Sequence, residues 1–291
     1  MGESLLERLS GGAPLVADGA TGTMLMAAGL PAGTSPELWN VEQPEKILAL
    51  YRAYLAAGSQ VILTNSFGGS SIKLERAGLG GRAHELNIAA ARLARQAAGD
   101  GAFVAGDMGP TGELMKPLGS LTYDQALQSY AEQAAALAEG GVDLLWVETM
   151  TDLQEAKAAV SGAKQATDLP VFCSMSFGRK ARTIMGVSAK QAAQELWPLG
   201  LAAIGANCGD GLEMIPEVIR QMREVLPDAP LIVKPNAGLP RMVGMETVYD
   251  LGPADFCGQM SGFIAQGARV IGACCGSSPE YIAALVAAAQ A

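Results

Sequence analysis

Eight short apolar runs recur along the chain, and each is bounded by glycine, proline or a polar residue. Runs of this length and composition are typical of buried strands. We therefore predict strands within residues 14–20, 60–66, 102–109, 143–149, 170–177, 202–209, 230–238 and 268–276. The stretches between them are rich in Ala, Glu and Gln and have apolar residues at helical spacing, as in 123–139 and 153–164.

Strands that alternate with helices predict a parallel sheet, and eight such repeats predict closure into a single (β/α)8 TIM barrel. A chain of 291 residues suits this fold, which typically needs about 250. The competing fold is an open, doubly wound sheet, but the loop Asp18-Gly19-Ala20-Thr21-Gly22-Thr23 lacks the glycine spacing of a dinucleotide-binding fingerprint. No linker or low-complexity segment divides the chain, so we expect one domain over residues 1–291.

Composition and charge narrow the range of partners. Hydrophobic residues make up 49% of the chain, which is enough for a large core, and the net charge is −9 without any run of Lys or Arg. This balance argues against nucleic acid as a partner. The N-terminus lacks the pattern of a signal peptide, and no apolar run is long enough to span a bilayer. We therefore expect a cytoplasmic protein without a membrane partner, and the oligomeric state stays open.

Three of the five cysteines stand at predicted strand ends. Cys208 follows the sixth strand, and the adjacent Cys274 and Cys275 follow the eighth. Three thiolates leave one position of a tetrahedral zinc ion for a substrate, so we predict a catalytic zinc site at the carboxyl ends of the strands. The alternative is that these are small buried residues, as free cysteines often are. We favour that alternative for Cys173 and Cys257 only.

Polar side chains also gather at strand ends, which form the catalytic face of such barrels. Asp18, Asn65, Glu148 and Asn236 are candidates there, whereas Asp107 and Asp152 are interpreted as helix caps. Glu148 follows four apolar residues, so its charge needs a partner such as a ligand ammonium. Glycine-bearing loops after the first two strands offer backbone N–H groups to a carboxylate. Together these features suggest a pocket that holds both ends of an α-amino acid.

Six motifs together resemble the zinc-dependent homocysteine S-methyltransferase family, and they extend over nearly the whole chain. The family includes betaine–homocysteine methyltransferases, S-methylmethionine-dependent enzymes and the homocysteine domain of cobalamin-dependent methionine synthase. The motifs are Asp18-Gly19-Ala20-Thr21-Gly22-Thr23, Pro36-Glu37-Leu38-Trp39-Asn40, Thr64-Asn65-Ser66-Phe67-Gly68-Gly69, Gly205-Ala206-Asn207-Cys208-Gly209, Lys234-Pro235-Asn236-Ala237-Gly238 and Gly272-Ala273-Cys274-Cys275-Gly276.

The resemblance implies a (β/α)8 barrel, zinc held by Cys208, Cys274 and Cys275, and homocysteine as the methyl acceptor. It also implies that Asp18 and Glu148 bind homocysteine, and that Gly19 and Ala20 offer backbone contacts to it. Methionine would be the product.

The methyl donor is less well defined by the resemblance. The segments around Trp39 and 106–113 are most similar to bacterial sequences described as betaine–homocysteine methyltransferases, which favours a betaine-like or sulfonium donor. Animal betaine enzymes, however, have a tyrosine where this chain has Gly68. The alternatives are methylcobalamin or methyltetrahydrofolate supplied by a separate corrinoid or folate protein, or another thiol acceptor. Trp39 either stacks on a methylated cation or packs at the barrel rim.

Two other classes of protein remain as rivals. A metal-free barrel enzyme acting on phosphorylated sugars would need a glycine-rich anion site after strands seven and eight, where this chain has Asn236 and the cysteine pair. A non-enzymatic zinc sensor or methyl-carrier accessory protein would usually have four protein ligands for its metal. No convincing fourth ligand is visible in the sequence.

Overall fold

A computed structural model describes residues 4–244 and 246–290 of the chain. Eight parallel strands form the main sheet, in the spatial order β1-β10-β7-β6-β5-β4-β3-β2. A bridge between Ala17 and Val61 brings the two edge strands together, so the sheet closes into a barrel. The strands are β1 (Leu15–Val16), β2 (Val61–Leu63), β3 (Phe103–Met108), β4 (Leu144–Met150), β5 (Val171–Met175), β6 (Ala203–Cys208), β7 (Leu231–Pro235) and β10 (Ala268–Ile271).

Helices follow the strands and pack on the outside of the barrel. Four of them, within residues 83–98, 123–140, 153–166 and 189–196, have buried faces rich in alanine, and several helices begin at a side-chain cap such as Ser188 or Thr122. The helices are α1 (Leu5–Ser10), α2 (Thr21–Ala27), α3 (Trp39–Glu42), α4 (Pro44–Ala56), α5 (Ser71–Glu75), α6 (Ala83–Ala98), α7 (Tyr123–Gly140), α8 (Leu153–Ala166), α9 (Ala189–Leu196), α10 (Ile215–Arg223), α11 (Pro253–Ala265) and α12 (Pro279–Ala289).

Side chains fill the lower part of the barrel. The rings of Trp146 and Phe172 meet edge to face with their centroids 5.4 Å apart, and Leu5 and Leu9 of α1 belong to the same interior cluster. The barrel is therefore a packed core, and space for a ligand remains only toward the carboxyl ends of the strands.

The sequence did not predict an antiparallel hairpin, formed by β8 (Pro240–Val243) and β9 (Glu246–Tyr249), between β7 and α11. This connection lies at the carboxyl face, and its residues Tyr249 and Leu251 pack against the core. The predicted eight strands of the barrel are all present. Within the described residues, no helix combines the length and apolar character needed to cross a membrane.

Candidate metal centre and substrate cavity

The three strand-end cysteines converge. Cys208 ends β6, whereas Cys274 and Cys275 follow β10, and only β7 lies between these two strands in the sheet. The three Sγ atoms all lie within 4.8 Å of one another, and those of Cys208 and Cys275 are 3.8 Å apart. This spacing suits three ligands of one metal ion.

The chemistry of this cluster also suits a metal. Hydrogen bonds from Cys208 and Cys274 lower the pKa of the Cys275 thiol to about 3, so one sulfur of the three is favoured as a thiolate. Three sulfur donors are typical of sites for zinc and other soft or borderline metals. The side-chain oxygen Oδ1 of Asn236 is buried without a hydrogen-bond partner, and its amide donates to the carbonyl of Gly209, next to Cys208. Asn236 therefore lies beside the cluster with an unused oxygen.

Tyr249 of the hairpin packs against the same cysteines. Its ring lies so close to the backbone of Gly276 that a side chain at this position would place its Cβ atom 2.2 Å from the ring. Burial, together with the neighbouring Cys275, raises the pKa of the phenol to about 12. The phenol is a hydrogen-bond donor to Cys275. The hairpin thus forms one wall of the metal centre.

Two residues at this site have left-handed backbone conformations that are rare for residues with side chains. Cys208 has a φ of 54° and Thr149 a φ of 61°. Asn207 stabilises this arrangement, because its Oδ1 accepts from the amide of Thr149 at 2.8 Å and from Ser174 Oγ at 2.7 Å. Its amide nitrogen donates to Thr149 Oγ1 at 2.6 Å. Asn207 therefore connects the end of β4 to the residue that carries the first thiol.

A cavity of about 760 Å³ opens at the carboxyl face of the barrel above these residues. Its inner wall includes the three cysteines, Lys234, Asp107 and Glu148. Its outer wall comes from α2 and from the loops around Ser35 and Phe67.

Four buried charged side chains lie at or just below the cavity floor. The ammonium Nζ of Lys234 lies 3.6 Å from Asp18 Oδ1 and 3.9 Å from Glu148 Oε2. Asp107 is a third buried carboxylate near the same lysine. Asp18 is held in place by the amide of Leu63, which donates to its Oδ2 at 2.8 Å. With all four ionised, three negative charges face one positive charge, so the group has an excess of negative charge.

Burial strongly shifts the pKa values of these four side chains. Desolvation raises the pKa of Asp18 to about 6 and that of Glu148 to about 7, although Lys234 acts in the opposite direction on both. Burial and the charge of Glu148 raise the pKa of Asp107. Burial by itself would lower the pKa of Lys234, but Glu148 and Asp18 outweigh it and keep this residue an ammonium. One oxygen each of Asp18, Asp107 and Glu148 has no hydrogen-bond partner.

Of the two acidic residues predicted to cap helices, one does so and the other does not. Asp152 does cap α8, since its Oδ1 accepts from the amides of Gln154 and Glu155. The interpretation of Asp107 as a cap is wrong. The next long helix, α7, begins at Tyr123 and is capped by Thr122, whereas Asp107 faces the cavity.

The loop after β1 offers fewer backbone contacts than expected. The amide of Ala20 donates to Ser277 Oγ at 3.0 Å, and its carbonyl accepts from Tyr54 Oη at 3.0 Å, so both groups are already used. Gly19 lines the cavity, as do Thr21–Thr23 at the start of α2, which no side chain caps. Asn65 also lines the cavity, but its amide donates to the carbonyl of Pro36 and to Asn40.

Trp39 does not lie over the metal centre. Only 5% of its surface is exposed, it belongs to the hydrophobic core, and the ammonium of Lys46 lies 4.3 Å from its ring centroid. The ring is absent from the cavity wall. The suggestion that Trp39 stacks on a methyl donor is therefore corrected, and its position fits the alternative of packing at the rim.

Sequence reasoning gave no role to Lys234 or Asn207, although both stand in the motifs that carry the resemblance. A signal was present for Lys234, since it is a charged residue inside the apolar run 230–238. A lysine in such a place needs buried carboxylates as partners.

A parallel barrel with clustered thiols at the carboxyl ends of its strands defines a class of metal-binding barrel enzymes. A family model described as homocysteine S-methyltransferase matches residues 15–289. The chain therefore belongs to the homocysteine S-methyltransferase family. This match confirms the predicted family and class of enzyme.

Relatives and solved structures agree with this assignment. The chain is 32% identical to methionine synthase from Mycobacterium tuberculosis over 94% of its own length and 24% of that protein. It is 31% identical to methionine synthase from Mycobacterium leprae over 98% of its length and 25% of that protein. The chain thus spans about a quarter of the length of these relatives.

Among solved structures, the metallated form of the homocysteine methyltransferase MmuM from Escherichia coli superposes with a TM-score of 0.80. Its sequence identity is 25%, and the match covers 96% of this chain and 97% of that one. A type I 3-dehydroquinate dehydratase from Clostridium difficile, 14% identical with a TM-score of 0.53, shares the fold alone. The predicted (β/α)8 barrel is confirmed.

Proposed function

We propose that the protein is a zinc-dependent S-methyltransferase that transfers a methyl group from a small betaine-like or sulfonium donor to homocysteine, giving methionine. The observation that carries the proposal is the meeting of two sites in one cavity: three convergent thiols and a buried group of carboxylates. The first suits a metal that binds a thiol, and the second suits the ammonium of an amino acid.

Cys208, Cys274 and Cys275 would hold the zinc ion. When bound, zinc leaves one coordination position for the homocysteine sulfur and favours its thiolate at neutral pH. The buried oxygen of Asn236, whose amide donates to Gly209 beside Cys208, is a candidate hydrogen-bond acceptor at this site.

The protein's own residues would orient the acceptor. Asp18 and Glu148, with Asp107 beside them, attract the ammonium because Lys234 neutralises only one of the three charges. The uncapped amides at the start of α2 face the cavity and suit the carboxylate. Lys234 lowers the pKa of Asp18 and Glu148 against the larger effect of burial and holds both side chains in place, so that the amino acid binds in one orientation with its sulfur toward the cysteines.

The remaining volume of the cavity would hold the donor next to the acceptor. In the transfer, a new S–C bond forms to the methyl carbon while the bond from that carbon to the positively charged nitrogen or sulfur breaks. The electron pair stays with that nitrogen or sulfur atom, which becomes neutral. The walls bring the two reactants together in line, and this removes much of the entropic barrier.

A second candidate donor is a methyl-bearing cofactor on a separate corrinoid or folate protein. One observation favours it: large apolar side chains are exposed on α2 and in four loops that follow barrel strands, and two of them, Met26 and Phe67, line the cavity. Exposed apolar groups that surround a site are typical of a protein-docking surface. These residues are Met26, Phe67, Leu114, Leu118, Ile184 and Leu239.

The metal assignment is tested by cysteine substitutions. We expect the purified protein to contain one zinc, and Cys208→Ala, Cys274→Ala and Cys275→Ala each to lose both the metal and methionine formation. Cys173→Ala and Cys257→Ala are the matched controls and should keep both, since these thiols lie in the core and on α11. Full zinc occupancy in Cys275→Ala would refute the assignment.

The donor is tested with a panel of methyl compounds. Betaine, dimethylsulfoniopropionate, S-methylmethionine, methylcobalamin and methyltetrahydrofolate are each assayed for methionine formation with homocysteine. Turnover with one of the first three supports the small-donor proposal. Turnover with methylcobalamin alone would replace it with the protein-bound donor.

A further inference from the structure

The outer wall of the cavity contains a buried carboxylate that the acceptor site does not use. Glu37 is only 3% exposed, yet it lines the cavity. Its Oε1 accepts from the amide of Gly68 at 2.6 Å, and its Oε2 accepts from Ser35 Oγ at 2.5 Å. Both donors are neutral groups, so the negative charge of Glu37 is not balanced by them.

No cation among residues 4–244 and 246–290 forms an ion pair with Glu37. Lys73 and Arg76 line the same cavity; the stem of Lys73 passes beside Gly68, and its ammonium lies by Gly112 together with the guanidinium of Arg76. Arg76 is itself paired with Glu113 at 2.6 Å. A buried carboxylate without a counter-ion favours a cationic ligand.

An aromatic ring lies next to this carboxylate. Phe67 directly precedes Gly68, is 37% exposed and lines the cavity. One edge of the Phe67 ring packs on Gly109, so closely that a Cβ atom on residue 109 would lie 2.5 Å from the ring. The exposed part of the ring therefore faces away from Gly109. Aromatic faces attract methylated cations, and a carboxylate beside the ring adds a full negative charge.

Gly68 explains why the carboxylate occupies this place. A Cβ atom on residue 68 would lie 2.8 Å from Glu37 Oε1, so a side chain there would push the carboxylate away from the backbone amide. The space next to Phe67 is therefore occupied by a carboxylate.

We propose that Glu37 and Phe67 form the subsite for the positively charged methyl group of the donor, with Glu37 as the residue that selects an onium cation. The inference rests on the proposed methyl transfer to homocysteine and specifies the class of donor. Quaternary ammonium and sulfonium donors share this chemistry, whereas a methylcobalt donor offers no such charge to Glu37.

The test compares donors in zinc-loaded wild-type protein and in Glu37→Gln. The glutamine keeps an oxygen for the amide of Gly68 but has no charge. We expect kcat/KM for betaine, S-methylmethionine or dimethylsulfoniopropionate, whichever the wild type uses, to fall about tenfold or more, with the KM for homocysteine within about twofold. Calorimetric titration of the same donor, without turnover, should show the same loss of affinity.

Two further variants keep the result interpretable. Phe67→Leu should also weaken onium use, by about five- to tenfold, even if Glu37→Gln folds poorly. Glu45→Gln removes an exposed carboxylate from α4 and is the matched charge control, so it should leave every parameter unchanged.

The outcomes separate this inference from the proposed function. Onium turnover in the wild type with unchanged kcat/KM and donor affinity in Glu37→Gln would overturn the inference and leave the function standing. Turnover with methylcobalamin alone would overturn the inference and the small-donor proposal, while methyl transfer to homocysteine would stand. If no donor gives methionine with homocysteine, the proposed function itself fails.

Discussion

At the scale of single residues, the charge of the cavity floor depends on the protonation of the carboxyl groups that surround Lys234. The lysine pairs with Asp18 and Glu148, and yet burial still raises the pKa of both acids. A carboxyl that becomes protonated near neutral pH loses its attraction for an ammonium group. Acceptor recognition should therefore depend on pH in a range where most surface carboxylates do not titrate.

We predict that methionine, which has no ionisable thiol, binds metal-free protein more weakly as the pH is lowered from 7.5 to 5.5. Its α-ammonium stays protonated over this range, whereas Glu148 and then Asp18 become neutral. The expected loss of affinity is about tenfold, measured by calorimetric titration.

The desamino analogue of methionine is the control for this prediction. It has a carboxylate but no ammonium, so its affinity should rise or stay constant as the two carboxyl groups are neutralised. Glu148→Gln should bind methionine weakly throughout and lose most of the pH dependence. An equal decrease for methionine and its desamino analogue would contradict a role for these carboxylates in holding the ammonium.

Only some of the residues at the candidate site could be predicted from the sequence. Cys208, Asp18 and Glu148 could be singled out because a polar residue directly after an apolar strand stands out. Trp39 and Asp107 could not be placed correctly, since the sequence does not tell which way a loop side chain points. The partner of Glu148 was also hidden, because Lys234 approaches it from a strand that is distant in the chain.

At the scale of elements, the ends of β4, β5 and β6 are joined by one side chain. Asn207 binds the end of β4 through Thr149 and the interior of β5 through Ser174. It also directly precedes Cys208, whose left-handed conformation aims the first thiol. The candidate metal centre is thus supported by a hydrogen-bond network through Asn207, whose amide also lies 3.9 Å from Cys274 Sγ.

We expect Asn207→Ala to lower the free energy of unfolding by about 1–3 kcal/mol, because buried donors lose their acceptor. It should also weaken zinc binding by about 10- to 100-fold, measured by competition with a chelator. Ser174→Ala is the matched control. It breaks the same network inside the barrel, where it leaves the indole N–H of Trp146 unpaired, but it keeps the contact to Thr149.

If Ser174→Ala and Asn207→Ala weaken zinc binding equally, the network acts through general stability and not by positioning Cys208.

The positions of the barrel strands were predictable from the sequence, because apolar runs between turn residues give a strong signal. The hairpin of β8 and β9 was not, since its residues mix polar and apolar types without a clear period, and its position over the cysteines explains it.

At the scale of the whole molecule, the repeat of eight apolar runs was enough to predict the barrel, because closure satisfies every strand edge. The cavity could not be predicted, since it depends on which loops fold inward over the strand ends.

The proposed metal ligands come from β6 and from the residues after β10, so the proposed ion bridges elements on both sides of β7.

Zinc should therefore stabilise the entire barrel. At a free zinc concentration 100 times the dissociation constant, the expected gain is about 2.7 kcal/mol. For a protein of this size, that corresponds to an increase in Tm of about 5–10 °C in a thermal melt. Cys275→Ala should melt at the same temperature with and without zinc. A zinc-dependent shift of equal size in that variant would mean that the stabilising ion binds elsewhere.

The 3.8 Å between the sulfur atoms of Cys208 and Cys275 has a further consequence. Thiols held so close, one of them favoured as a thiolate, are also well placed to react with each other under oxidising conditions. Such a reaction would consume two of the three sulfurs that the proposed ion needs. Metal and oxidant therefore compete for the same atoms, and the working lifetime of the protein in air should depend on how continuously its metal is supplied.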